Sequence, residues 1–329
     1  MERRGEQRIP SGPSSRATAS SHRPRLDRRV IYLLLALGTL VPILFPIGFP
    51  VSVTPPVKAL FERIESLAPG SVVLVSFDYG PNIGPEMDPM ADAVLRHCFE
   101  RGLHVVVIAL FPVGGLTMAG EALARIVPEY PALRPGEDYV FLGYKDGTQA
   151  VMKQMDVSFA AVFPLDARGI PIERLPLMQE APNFAGIDLV VSLSTNEIGE
   201  WWVTLVNAQF GVPVAVGSTA VWAPKYFAFL DARQMVGLLA GLKGASEYER
   251  LLTASHARLA PRYERAGVYT ASRAMDAQTI DHALVMALIV LGNVFFFMGR
   301  RSRRGEAQRE PRGPGDPREP HEPGQGGRP

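Results

Sequence analysis

Between residue 67 and about residue 252 the chain alternates short, continuously apolar runs with stretches of helical period. The runs VVLVSF (72–77), HVVVIAL (104–110), YVFLGY (139–144), DLVVSL (188–193) and VPVAVG (212–217) predict strands. Their β-branched positions do not alternate with polar ones, which is what strands covered on both faces require. The pattern therefore predicts a mostly parallel, doubly wound α/β sheet of the Rossmann-like class. Asp88 followed by Pro89 reads as the start of a helix that stops at Gly102. Asn196 reads as the cap of a helix ending at Gly211, and Ser246 with Glu249 as a capping box.

Residues 156–185 interrupt this rhythm with Pro164, Pro171, Pro176 and Pro182. So long a loop is either a functional lid or partner surface, or cover over the sheet edge, and a short strand at 159–163 is a further reading.

Two further apolar stretches flank the α/β region. IYLLLALGTLVPILFPIGF (31–49) and ALVMALIVLGNVFFFMG (283–299) carry no charge. As helices at about 1.5 Å per residue they approach the thickness of a hydrocarbon core. The first is longer than a usual signal core and FPVSVTPP offers no small-x-small cleavage site, so an uncleaved anchor is expected. The organisation expected is a basic disordered tail (1–29), a transmembrane helix (30–51), an α/β domain (52–280), a second transmembrane helix (281–299) and a disordered tail (300–329). Asn293, a strongly polar group inside the second span, calls for a partner there, on the first span or another subunit.

Charge adds orientation. Residues 1–29 hold eight Arg against three acids and residues 299–329 eight Arg against five, while the middle is acidic. The clusters RPRLDRR and RRSRR adjoin the two apolar segments. By the positive-inside rule both termini are cytoplasmic, the domain is extracytoplasmic, and the location is the inner membrane. The expected partners are the lipid bilayer and either other membrane proteins or further copies of the chain. Nucleic acid is not expected, because no aromatics are interleaved with the tail arginines.

Candidate chemistry gathers where the predicted strands end, since open parallel sheets bind ligands outside their carboxyl ends. That rim holds Asp78, Tyr79, Asn82, Lys145, Asp146, Ser194, Thr195, Asn196, Ser218 and Thr219. Asp, Gly, Pro and Asn also end strands for purely conformational reasons, so Asp78 reads more readily as a turn acid than as a catalytic one. The chain has no G-x-G-x-x-G after its first strand, no P-loop, no G-x-S-x-G and no H-E-x-x-H. No cofactor and no metal is expected. His97 and His104 read as packed or surface residues, and the single Cys98 as a small core residue that excludes an intramolecular disulfide. Of Trp201 and Trp202, neighbours on one helix, at least one should face the sheet.

PGSVVLVSFDYGP, GEDYVFLGYKDG, GLLAGLKGASEYE and MDAQTIDHALVMALIVLGN resemble a group of uncharacterised bacterial two-pass membrane proteins with an α/β domain between the passes. The likeness spans roughly residues 55–297. It implies the architecture and no reaction, and it implies that residues 238–248, with Gly241 and Gly244 permitting close helix approach, pack near the membrane or a partner. Two functions follow as expectations. One is a membrane-anchored extracytoplasmic binding or scaffold module, a subunit of a larger assembly. The other is an extracytoplasmic hydrolase or transferase with Asp78 as base or metal ligand and Thr195, Asn196 or Ser218 as substrate contacts.

Overall fold

In the computed structural model, described for residues 27–45, 47–146, 149–265, 268 and 270–307 (backbone alone for 299 and 301–307), a six-stranded sheet runs in the order β3-β2-β1-β4-β5-β6. Its strands are β1 (Val72–Asp78), β2 (His104–Ala109), β3 (Tyr139–Tyr144), β4 (Leu189–Ser194), β5 (Val214–Ser218) and β6 (Gly237–Ala240). Every strand pair is parallel. Central strand β1 is buried along its whole length, and its alternate residues serve two separate cores. Val73, Val75 and Phe77 join one, Val72 and Leu74 the other. The continuous apolar run is thus two alternating patterns superimposed, each covered by its own layer.

α1 (Arg28–Leu44) comes first in the chain, and the first layer holds α2 (Pro55–Ser66), α3 (Gly84–Glu100) and α4 (Gly115–Ile126). The opposite layer begins with α5 (Gln149–Val157) and includes α6 (Glu197–Trp201), which continues through a π-helical stretch (Trp202–Asn207) to Phe210. The chain then returns through α7 (Gly241–Ser255) to α8 (Ala271–Ala307).

Several local expectations shift. The helix after β1 begins at Gly84, with Pro85 in its first turn and Pro89 inside; a first-turn proline suits either register, and Asp88 instead accepts a hydrogen bond from Tyr79. Asn196 caps α6 through Ile198 N–H, and Gly211 ends that helix with φ 72°. Ser246 lies within α7, which starts directly after β6 at Gly241, and Glu249 caps α8 rather than its own helix. Four-residue β6 was not among the predicted strands. The Pro-rich segment forms short helical turns (Phe159–Val162, Pro176–Glu180), with no strand at 159–163, and buries Phe159, Leu177, Met178 and Phe184 as cover over the second face.

Within α8, Ala271–Met298 is long and apolar enough to cross a membrane by length and composition. The helix is rooted in the domain, where Ala271, Arg273 and Asp276 are buried, and it continues to Ala307. Residues 300–307 are therefore helical where a disordered tail was expected, because arginine is a good helix former and extending an existing helix avoids the cost of nucleation. The remaining tail residues, 1–26 and 308–329, lie outside the described ones. Helix α1, 17 residues long, runs antiparallel to α8, with Thr39 at Asp281 and the following Ile47–Phe49 backbone at Asp276.

Candidate functional site

At the carboxyl halves of β1 and β4, the face that carries Val72, Leu74 and Val190 farther down turns polar: Ser76, Asp78, Ser192 and Ser194 are all fully buried. Asp78 binds this seam together. Its Oδ2 accepts from the hydroxyls of Ser76 (2.8 Å) and Ser192 (3.3 Å) and from the indole N–H of Trp202 (3.2 Å). Its Oδ1 accepts from Leu110 N–H (3.1 Å). Burial pushes the carboxyl up to about 6, opposed by these four hydrogen bonds. Both oxygens are occupied and no solvent reaches them, so Asp78 ties β1, β2, β4 and the helix after β4 together rather than facing a substrate.

Asn196 completes the closure. Its Nδ2 donates to Asp78 O (2.8 Å), and its Oδ1 accepts from Ile198 N–H (2.9 Å) while lying 3.2 Å from Ser194 Oγ. Ser218 donates to Ser194 O (2.8 Å), and Thr219 O accepts from Trp222 and Ala223 N–H. The crevice between β1 and β4, where connections diverge and ligands usually enter, is thus filled by the protein's own polar groups. Tyr79 is buried, its hydroxyl donates to Asp88 (2.7 Å), and burial beside that carboxylate drives its phenol well above the ordinary value. Thr195 is half-buried in the turn, and Asn82, Lys145 and Asp146 are exposed. Lys145 and Asp146 follow β3, two strands away from β1. Of the two tryptophans, Trp202 is the core residue and Trp201 is half-buried against the second core. Asn293 is exposed, and one of its amide N–H groups donates to Ile289 O of its own helix (3.0 Å).

Open space lies instead at the far side of the same rim. A cleft of about 660 Å³ separates the exits of β5 and β6 from the α1–α8 pair. Glu86, Ala220 and Lys243 line it from the domain, and Thr39, Gln278, Asp281 and His282 from the two helices. Glu86 accepts from Ala220 N–H (2.8 Å), stapling the β5 exit to the start of α3. Gly241 turns β6 into α7 with φ 62°, and a Cβ there would lie 2.9 Å from both Ala220 Cβ and Glu86 Oε1. Gly244 packs on the Leu239 backbone, so these glycines serve a tight strand-to-helix turn, not the helix–helix approach expected of them.

Two acids of α8 hold α1 and the segment that follows it against α8. Asp276, 3% exposed, accepts from Ile47 (2.9 Å), Gly48 (2.8 Å) and Phe49 (3.1 Å) N–H. Asp281 accepts from the Thr39 hydroxyl at 2.6 Å, while its other oxygen is buried against Gly38 with no hydrogen-bond partner among the described residues. On the domain side Lys243 pairs with Glu247, which accepts from Thr54 N–H (2.7 Å) and hydroxyl (2.5 Å). Reasoning from strand ends alone missed Glu86, Lys243, Asp276 and Asp281. The signal for the last was present, since an acid bordering an apolar span is expensive and is a functional candidate by default.

No protein-family model matches the chain, and no curated protein sequence does. Among solved structures it is similar to a trehalose-6-phosphate synthase, OtsA, at 12% identity and TM-score 0.29, over 72% of this chain and 44% of that one. It is also similar to the N-terminal domain of Candida albicans trehalose-6-phosphate phosphatase, at 9% identity and TM-score 0.30, over 78% and 45% of the two chains. The chain spans less than half the length of either.

Proposed function

We propose that the protein is a two-pass, membrane-anchored module of a bacterial inner membrane, with both termini cytoplasmic, that binds a ligand or partner at its extracytoplasmic domain within a larger membrane assembly. The cleft of about 660 Å³ between the carboxyl ends of β5 and β6 and the root of the helix pair is the observation that carries this function. It combines the ligand-binding edge of an open parallel sheet with the point where two apolar helices leave the domain. The arginine clusters on the far side of both apolar segments support the orientation. Exposed apolar faces on both helices, including Leu33, Leu37, Ile289 and Phe296, support contact with lipid and with other membrane helices, from partner proteins or a second copy. The sealed surroundings of Asp78, whose carboxylate oxygens are both taken by the protein's own donors, support binding over catalysis.

Ala220→Trp tests the cleft directly, because Ala220 is exposed, lines it, and engages Glu86 only through its backbone. The full chain, purified in mild detergent, is expected to carry a ligand or partner detectable by native mass spectrometry, and the variant to lose it with its fold intact. Equal retention by both proteins, or a bare wild-type monomer, would overturn the proposal. Protease added to intact spheroplasts should cut the domain and spare both termini; the reverse pattern would refute the orientation.

A further inference from the structure

At the opposite, amino edge of the sheet, three helices bring together side chains with no role in the cleft. Glu65 stands at the end of α2, His97 in the last turn of α3, and His256 caps α7. His97 Nε2 is 3.0 Å from Glu65 Oε1, and His256 Nε2 is 2.6 Å from the same oxygen. All three donor atoms lie within 4.8 Å of one another. Ligands of a tetrahedral Zn²⁺ at about 2.0–2.1 Å stand roughly 3.3 Å apart, so the two nitrogen–oxygen separations need to open by about 0.3 and about 0.7 Å.

The surroundings match what a metal site requires beyond its ligands. His97 is fully buried, stacks on Phe61 with ring centroids 4.5 Å apart, and places Nδ1 2.6 Å from the Tyr248 hydroxyl. When Tyr248 accepts from Nδ1–H, the Nε2 lone pair is directed at the shared point, the arrangement that outer-shell partners impose on metal-binding histidines. Arg101 lies 3.4 Å from the second carboxylate oxygen and orients Glu65. Glu65 and His256 are partly exposed, leaving access for water as a fourth ligand.

We propose that Glu65, His97 and His256 form a site for a divalent transition metal of the Zn²⁺ class, clamping α2, α3 and α7 together. Two imidazoles and one carboxylate suit Zn²⁺ and its neighbours, whereas Ca²⁺ and Mg²⁺ call for six or more oxygen ligands. The metal-free alternative is equally definite: both Nε2 atoms are protonated and donate to Glu65, while Tyr248 donates to His97.

Zn²⁺ titration of the full chain in detergent micelles, after chelation and desalting, distinguishes the two. One Zn²⁺ per chain is expected, lost in His256→Gln and in Glu65→Gln and weakened about tenfold in Tyr248→Phe. Co²⁺ in place of Zn²⁺ should give the intense visible absorption of a four-coordinate ion. Circular dichroism of each variant checks its fold, and the two independent ligand substitutions guard against the failure of either one. Absence of stoichiometric binding, or binding that survives both substitutions, would overturn the proposal. The cleft is at the other edge of the sheet, so Ala220→Trp should leave Zn²⁺ affinity unchanged, and failure of either proposal is recognisable separately.

Discussion

Asp78→Asn puts the closed rim to a quantitative test. The substitution keeps the shape of the side chain but replaces one acceptor oxygen with an N–H₂ group. The serine hydroxyls can rotate to accept from that group, whereas Trp202 Nε1–H and Leu110 N–H can only donate. Whichever way the amide lies, one of those two buried donors is stranded, at a cost of about 1–3 kcal/mol.

Replacing the charge also removes a pH dependence. The folded-state value near 6 lies above the ordinary 3.8, so the folded chain holds the proton more tightly than the unfolded chain does. Stability contributed by Asp78 is therefore full below about pH 4 and falls by about 3 kcal/mol as pH rises through 6. Urea unfolding of the full chain in micelles, followed by far-ultraviolet circular dichroism from pH 4 to 7.5, should show this component in the wild type. Asp78→Asn should lack it, and should be the less stable protein at the acid end. Adding Trp202→Phe removes the indole donor and lets the asparagine amide face that side without conflict, so the two substitutions should couple by about 1 kcal/mol or more. A wild-type slope that persists in Asp78→Asn, or strict additivity with Trp202→Phe, would refute the sealed arrangement.

Glu249, whose carboxylate accepts from Ala271 and Ser272 N–H and the Ser272 hydroxyl, is pushed up to about 7 by burial, so its contribution to stability falls as pH rises from about 4.5 to 7. Glu249→Gln should flatten that part of the same unfolding profile, and an unchanged slope would count against the assignment. In Asp276→Asn one acceptor oxygen remains for three backbone donors, and hydrogen exchange at Ile47–Phe49 should accelerate about tenfold or more; unchanged protection there would sink the anchoring role. A Cβ on Gly237 would lie 2.5 Å from Pro56 O and 2.8 Å from Leu60 Cβ. Gly237→Ala should therefore separate β6 from α2 at a cost of about 3 kcal/mol, lowering the melting temperature by roughly 5–10 °C, and a wild-type melting curve would contradict the packing.

Local chemistry determined much of this molecule. Strands covered on both faces must be apolar throughout, so β1 to β5 were readable as elements of a parallel α/β sheet before any neighbour was known. Asn196 and Gly211 bound their helix for reasons contained within a turn of backbone. An apolar stretch long enough to cross a membrane was equally legible in α8, because hydropathy is a property of consecutive residues. The four-residue β6 was lost because GLLA is too short and too rich in small and flexible residues to carry a period.

What only the tertiary structure decided is who meets whom. The strand order places Ser192 beside Asp78 across 114 residues, and the antiparallel helix pair places Thr39 on Asp281 across 242. Glu65, His97 and His256 lie on separate helices with no recognisable spacing, yet they share one point. A side chain's period records how deeply its own element is buried. The identity of its partners depends on which elements pack side by side, and that is fixed by filling two cores at once rather than by any local pattern. Asp78 therefore looked like an open rim acid until its neighbours closed over it, while the cleft arose where packing left space between the sheet and two helices.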